Sequence, residues 1–514
     1  MALLGLAGGA EAQGRPASPP IRLVLHLSVD QLRPEYLTRW GPEFTGGLAW
    51  LLGESVFYPK AGQRHAMTET APGHATMLSG RWPRNHGILA NDRGVPDRLY
   101  PLLAGATATG ASPARFRGTT LYDWMRAADS GVRALSVSRK DRGAILPVGR
   151  AKVPVYWYAN GRFTTSRWYA DTLPTWLADW NAQDVVARFA GTAWTTLRDA
   201  STYPEPDDRT FEYGGNDGTF PHVLPDDWTM ASGELEYRPV MDSLILDVAW
   251  RGVKAHGIGR RDRPDFLAVS LSTTDNIGHR WGPGSREQHD NILRLDGNLG
   301  WFLDSLATVV PREQWLVSLT ADHGVQEYPE AAGTRRVSLA AEERALDAWT
   351  RARWGIDLAS DIESGLLLAD VAQLRARGVD VDSLSDAMAT RIRAIPGVRA
   401  VYTPRTLPTA RGVDAELWRR QIPATTGWLF AVSLEEGTIF SGSRTSTSHG
   451  TTNAADVIVP LLIRAPGVAP RRVDRAVDVV DLGPTLAHLL GVRPTEPLDG
   501  SPLLELAGPR RSRR

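Results

Sequence analysis

The chain has 514 residues, more than a single compact core usually holds, so a large domain with insertions, or two domains, is expected. Its 58 basic residues balance 58 acidic ones, which leaves no global charge to draw nucleic acid or an anionic membrane surface. There is no cysteine, so disulfides, thiolate metal ligands and cysteine nucleophiles are excluded, and any metal must be held by His, Asp, Glu and hydroxyls.

Residues 1–20 read as the remnant of a secretory leader followed by a linker. Ala2 to Ala7 is small and apolar, and Ala10-Glu11-Ala12 fits the small-x-small cleavage pattern, although a basic start is missing. A periplasmic or secreted protein is therefore expected. No stretch approaches the roughly 20 apolar residues of a membrane helix.

The first strong element, Ile21 to Asp30, is apolar at most positions and ends in a carboxylate. It predicts a strand buried on both faces. Next comes Met67-Thr68-Glu69-Thr70-Ala71-Pro72-Gly73-His74-Ala75-Thr76. Proline is favoured in a first helical turn, so Thr70 is expected at the mouth of a helix. The free amides and partial positive charge there suit a phosphate, and a hydroxyl so placed can attack phosphorus once its proton is removed.

A first insertion is expected over 153–227. It is rich in polar loop residues and in tryptophan (Trp157, Trp168, Trp176, Trp180, Trp194), which read as packing rather than ligand stacking. Helical spacing marks Met241 to Val253 and Gln288 to Val309. The strands Asp265 to Asp275 and Trp315 to Asp322 repeat the pattern of an apolar run ending in Asp. A second insertion is expected over 333–434, with helical runs at Asp370 to Arg377 and Asp382 to Ala394. A last strand, Asp456 to Ile463, precedes a helix near Asp481 to Leu490, and residues 506–514 form a basic tail. Three apolar strands ending in Asp predict an α/β fold over residues 21–505, with a parallel sheet and a site at the carboxyl ends of its strands.

Asp275 and His279 are four apart and would share one face of a helix. Asp322-His323-Gly324 follows a strand end, where the glycine permits a turn that lets both side chains converge. His449 lies in a polar loop before the last strand. Taken singly, each piece is explained by a capping Asp or a hydrogen-bonded His. Together they suffice for two metal ions, one held by Asp275, His279 and His449, the other by Asp30, Asp322, His323 and the Thr70 oxygen. Carboxylates and imidazoles without thiolate suit catalytic Zn²⁺. A pair of such ions can stabilise both the attacking and the leaving oxygen of an in-line displacement.

With these motifs in this order, the sequence resembles the alkaline phosphatase superfamily from Ile21 to about Leu503. Within it, the chain resembles the PafA-type bacterial alkaline phosphatases that use a threonine nucleophile. The resemblance implies a mostly parallel central sheet flanked by helices, with inserted cap subdomains. It implies Thr70 as nucleophile, two zinc ions, and the metal ligands Asp30, Asp275, His279, Asp322, His323 and His449. It further implies that Asn91, Lys140 and Arg142 hold the phosphoryl oxygens. Two cations favour the doubly charged monoester over the singly charged diester. The expected substrates are small-molecule phosphate monoesters, hydrolysed through a phosphothreonine by a protein acting as a monomer. The loop after His449, Gly450 to Asp456, is less aromatic than the resemblance leads one to expect.

A phosphodiesterase or nucleotide pyrophosphatase on the same fold would keep the metals and Thr70 but would not need Lys140 and Arg142. A non-catalytic, metal-dependent phosphoester-binding protein would be expected to lack part of the set. A sulfatase would need a Cys or Ser, and a cofactor-independent phosphoglycerate mutase a serine, where this chain has Thr70.

Overall fold

In the computed structural model, residues 19–105, 109–356, 358 and 361–506 are described. The expected leader up to residue 18 and the tail from residue 507 lie outside them. Among the described residues no helix is long and apolar enough to cross a membrane.

Ten strands make the central sheet: β1 Leu23–Val29, β2 Val56–Gly62, β3 Ala134–Ser138, β4 Val155–Ala159, β5 Arg162–Thr164, β6 Asp265–Leu271, β7 Trp315–Thr320, β8 Ile458–Arg464, β9 Arg471–Arg472 and β10 Val477–Asp478. Their order is β9-β2-β8-β7-β1-β6-β3-β4-β5, with β10 also beside β2. β1 runs parallel to both β6 and β7, and the parallel run continues through β3 to β4. β8 is reversed, antiparallel to β7 and to β2, so β2 points the same way as β1.

β1, β6 and β7 are buried at every position, which is why they read as continuous apolar runs rather than alternating ones. Helices cover the sheet: α1 Gly47–Glu54, α2 Thr70–Ser79, α3 Leu121–Ala128, α4 Asp141–Ile145, α5 Val240–His256, α6 Thr273–Trp281, α7 Arg286–Ala307 and α8 Leu482–Leu490. α7 packs on α1 and α5, while α2 packs on α4 and α8. The helical spacing of Leu295, Leu299, Phe302, Leu303 and Leu306 buries one stripe of α7. Truncating such a side chain to alanine costs about 2–5 kcal/mol.

The two stretches expected as insertions take different forms. The stretch 153–227 opens with β4 and β5, which belong to the central sheet. Full burial of Val155, Tyr156, Trp157 and Tyr158 hides the alternation that would have marked a strand. The tryptophans of this stretch pack: Trp180 Nε1 donates to Asp247 (2.9 Å), and Trp194 Nε1 to Asp290 (2.7 Å). Between β7 and β8, a separate antiparallel sheet forms from Asp361–Glu363, Leu366–Leu368, Trp428–Leu434 and Val398–Tyr402, in that order across the sheet. It closes its own core, including Leu384, Met388, Ile392, Leu429 and Phe430.

The reversal of β8 matters for the site. Loops that follow β1, β2, β3, β6 and β7 leave one edge of the sheet, and the loop that precedes β8 arrives at that same edge.

Candidate metal centre and phosphoryl site

Thr70 is the first residue of α2 and is buried. The helix comes very close to the end of β7, because a Cβ on Gly73 would meet the Asp322 carbonyl oxygen at 2.2 Å. Glycine is therefore required there. Glu69 caps the entry to the helix, accepting the Asn91 backbone N–H (2.9 Å) and the Ser364 hydroxyl (2.5 Å).

Asp275 and His279 sit one turn apart on α6, with Oδ1 3.1 Å from Nε2. His449 Nε2 lies 3.7 Å from the same oxygen. A second group gathers Asp30, Asp275 and His323, with ligand atoms within 4.8 Å of one another. It shares Asp275 with the first group, and Asp322 stands beside it. Asp322 Oδ2 stands 3.7 Å from His323 Nε2, while Asp275 is drawn inward by Lys140. The Lys140 ammonium lies 2.5 Å from both Asp30 Oδ2 and Asp275 Oδ2, and 3.3 Å from Thr70 Oγ1.

All three imidazoles use Nδ1 against a backbone carbonyl: His279 with Thr447 (2.8 Å), His323 with Gly324 (2.9 Å) and His449 with Thr68 (2.7 Å). A carbonyl only accepts, so each Nδ1 carries a proton, and each ring turns Nε2 toward the carboxylates and Thr70. Second contacts of this kind orient metal-binding histidines. The His323 and His449 rings stack at 3.6 Å, and His323 Nε2 is 3.5 Å from Thr70 Oγ1.

The electrostatics favour a bound cation. Both Asp30 oxygens and Asp322 Oδ2 are buried without a well-formed hydrogen bond. Burial, then the charges of Asp275 and Asp322, pushes the Asp30 carboxyl up to about 6. Burial acts the same way on Asp275, but Lys140 and His279 outweigh it and hold that carboxyl well below the usual range. Asp322 is likewise held low against burial by His323 and His74. Burial and the neighbouring His323 and His279 keep His449 neutral, well below its ordinary value. Buried carboxylates clustered with three imidazoles, and no thiolate, fit divalent metal ions.

The structure brings together Asp30, Thr70, Lys140, Asp275, His279, Asp322, His323 and His449. Asn91 joins them because its Oδ1 accepts the Ala71 backbone N–H at 2.9 Å, beside the nucleophile position. Arg142 is half-buried in the first turn of α4, its guanidinium 3.6 Å from Asp141. Among the described residues, no hydrogen bond or ion pair links it to Thr70, Asn91 or Lys140.

Sequence reading missed several supporting residues. Gln31 adopts φ +66°, rare for a residue with a side chain, and in that conformation donates its amide side chain to Asp275 (2.8 Å) and its backbone N–H to Asp322 (3.1 Å). His74 contacts Thr70 O (2.9 Å) and Asp322 Oδ2 (3.2 Å) through Nδ1, and takes Ser28 (2.8 Å) and Ser270 (3.0 Å) at Nε2. Its spacing from Thr70, four residues along a helix, was the available signal. Gly324, at the turn after Asp322-His323, also permits close approach of the loop before β8, because a Cβ there would meet the Ala455 carbonyl at 2.0 Å. That loop, despite few aromatics, is held by Asp456, which accepts the Thr451 N–H (3.0 Å) and hydroxyl (2.6 Å).

A parallel sheet with a metal-ready edge and a threonine at a helix mouth defines a class. The model of the type I phosphodiesterase / nucleotide pyrophosphatase family matches residues 24–410, well over half of the chain, and the chain belongs to that family, within the alkaline phosphatase superfamily. It is a hydrolase, of the PafA type. The chain is 28% identical to alkaline phosphatase PafA of Elizabethkingia meningoseptica over 99% of this chain and 98% of that one. It is 29% identical to alkaline phosphatase PhoV of Synechococcus elongatus, over 92% and 90% respectively. The crystal structure of wild-type PafA superposes with a TM-score of 0.87 at 26% identity, covering 96% of this chain and 100% of that one.

Proposed function

We propose that this protein hydrolyses phosphate monoesters through a phosphothreonine on Thr70, with two zinc ions at the sheet edge. The observation that carries the reading is the convergence of three Nε2 atoms and the buried oxygens of Asp30, Asp275 and Asp322 around the Thr70 hydroxyl. Asp275, His279 and His449 would hold one ion. Asp30, Asp322 and His323 would hold the other, beside Thr70. When bound, such ions supply Lewis acidity, lowering the pKa of a nearby hydroxyl and stabilising charge on oxygen.

The chain's own residues do the rest. Thr70 gives up its hydroxyl proton to solvent, Oγ1 attacks phosphorus, and the bond from phosphorus to the alcohol oxygen breaks. The released alkoxide takes a proton from water, so the two transfers cancel. Water then attacks phosphorus and the Thr70 oxygen leaves, giving inorganic phosphate and the free side chain. Asn91 bridges the α2 entry and the phosphoryl oxygens, and Lys140, 3.3 Å from Thr70 Oγ1, sets a positive charge beside the attacked group. Arg142 adds a second charge once substrate is bound.

The family description favours a second reading, a phosphodiesterase or nucleotide pyrophosphatase. The buried ammonium of Lys140 weighs against it, because a diester carries one less charge to meet it. Purified protein assayed on a monoester and a diester, with metal content measured on the same sample, separates the two. A higher kcat/KM for the diester would overturn the monoesterase assignment. We further propose export from the cytoplasm, on the leader-like pattern at Ala10-Glu11-Ala12; retention of the full chain in the cytosolic fraction of its cells would contradict this.

A further inference from the structure

The residue that follows the carboxylate of β1 carries three local costs at once. Gln31 is fully buried, and its backbone holds φ +66°, a conformation rare for a residue with a Cβ. Its carboxamide donates from Nε2 to Asp275 Oδ1 (2.8 Å). A carboxylate only accepts, so the amide NH₂ faces Asp275 and the amide oxygen is turned away. That oxygen, Oε1, is buried and finds no hydrogen-bond donor among the described residues. It lies against Gly278 of α6, where a Cβ would meet it at 1.8 Å and the amide carbon at 3.0 Å. The carboxamide is therefore seated in the gap left by a glycine inside a helix, a position where glycine is otherwise unfavourable.

Costs of this kind persist where function sets the geometry. Gly278 lies between Asp275 and His279, so Gln31 rests on the helical turn that presents both. Asp275 Oδ1, the atom that Gln31 holds, is 3.1 Å from His279 Nε2 and 3.7 Å from His449 Nε2. Lys140 takes the other oxygen, Oδ2, at 2.5 Å. One donor on each oxygen fixes the rotation of the Asp275 carboxylate. Across the centre, the backbone N–H groups of Gln31 and His323 both reach Asp322 Oδ1 (3.1 and 3.0 Å). A single residue thus braces two of the clustered carboxylates, Asp275 through its side chain and Asp322 through its backbone.

We infer that Gln31 is a positioning residue of the metal centre: its carboxamide, seated on Gly278, aims Asp275 Oδ1 at the ion shared with His279 and His449. The inference rests on the two-zinc reading and deepens it. Gln31 acts through Asp275, and among the described residues no hydrogen bond joins it to Thr70.

The test titrates the zinc-free protein with Zn²⁺ against a competing chelator and records its melting temperature. Gln31→Met keeps the length of the side chain and removes the donor. One of the two ions should then bind about 10–100-fold more weakly, the usual effect of losing a partner of a metal ligand. The other should change little, because Asp322 keeps its backbone donor. The zinc-free variant should melt within about 4 °C of the wild-type protein. Gly278→Ala, with Gln31 unaltered, should weaken the same ion by displacing the carboxamide. Added to Gln31→Gly, Gly278→Ala should bring no further loss, since the two changes then share one cause. Unchanged affinity for both ions in Gln31→Met would overturn the inference and leave the two-zinc reading intact. So would equal weakening of both ions with a much lower melting temperature, which would assign Gln31 to the packing of the fold. Additive losses in Gln31→Gly/Gly278→Ala would overturn the seating on Gly278. A wild-type protein that binds no Zn²⁺ would sink the two-zinc reading and this inference with it.

Discussion

The two larger sheets of this molecule put their burial to different uses. In β1, β6 and β7 every residue is buried, and the reactive side chains are pushed to the strand ends and the turns beyond them. In the inserted sheet, Trp428–Leu434 is likewise buried throughout while Val398–Tyr402 exposes Arg399, and these strands close a small core of their own. The buried sheet holds Asp30, Asp275 and Asp322 within reach of one another, against the Lys140 ammonium and Gln31. The inserted sheet sends one hydroxyl, Ser364, to Glu69 at the α2 entry. The charged groups are concentrated where packing is least forgiving, and the inserted sheet touches the nucleophile's helix only from outside.

Substitutions can break that division at several depths. The deepest is Thr70→Ala, which removes the attacking oxygen and adds no bulk. Phosphate release should fall by about 10⁴-fold or more, with the melting temperature and bound zinc near wild type. Substantial residual turnover in this variant would show that another group attacks. Chelation should come next. Dialysis against a strong chelator should abolish activity and lower Tm by about 5–10 °C, both restored by Zn²⁺, because ions that bind only the folded edge stabilise it.

Lys140→Ala sharpens the comparison within the edge. The monoester rate constant kcat/KM is expected to fall about 10²-fold and the diester value much less, as befits loss of one preorganised charge. Equal losses on both substrates would assign Lys140 to holding Asp30 and Asp275 in place instead. The smallest effect belongs to the inserted sheet. Ser364→Ala removes one hydrogen bond to Glu69 and should lower kcat/KM about two- to tenfold, with at most about 1–2 kcal/mol lost in denaturant unfolding.

Much of the central sheet was legible in the chain because its strands are fully buried and so read as apolar runs, each closed by a carboxylate. The long helices were legible from the period of residues such as Leu295, Leu299 and Leu303. The direction of β8 was not, since nothing local distinguishes a reversed strand from a forward one. Nor was the hairpin of β4 and β5, whose aromatic residues are buried without alternation. At the site, residue types were readable and their contacts less so. The Lys140 ammonium lies against both Asp30 and Asp275, a contact that spans 135 residues of chain between Lys140 and Asp275. Gln31 escaped notice because its role comes from a positive φ, which glutamine does not announce.

The reversed strand β8 carries a consequence for biosynthesis. It is an inner strand, lying between β2, which leads to Thr70, and β7, which leads to Asp322 and His323. Until residues 458–464 emerge from the ribosome, the nucleophile's strand has no neighbour linking it to the rest of the sheet, and His449 has not yet docked. The nascent chain therefore holds a nucleophile, two carboxylate-bearing strands and a nearly complete ligand list, yet no assembled centre. Contacts between such distant segments form slowly. Assembly of the centre therefore waits on β8 and the loop that precedes it, close to the end of the chain.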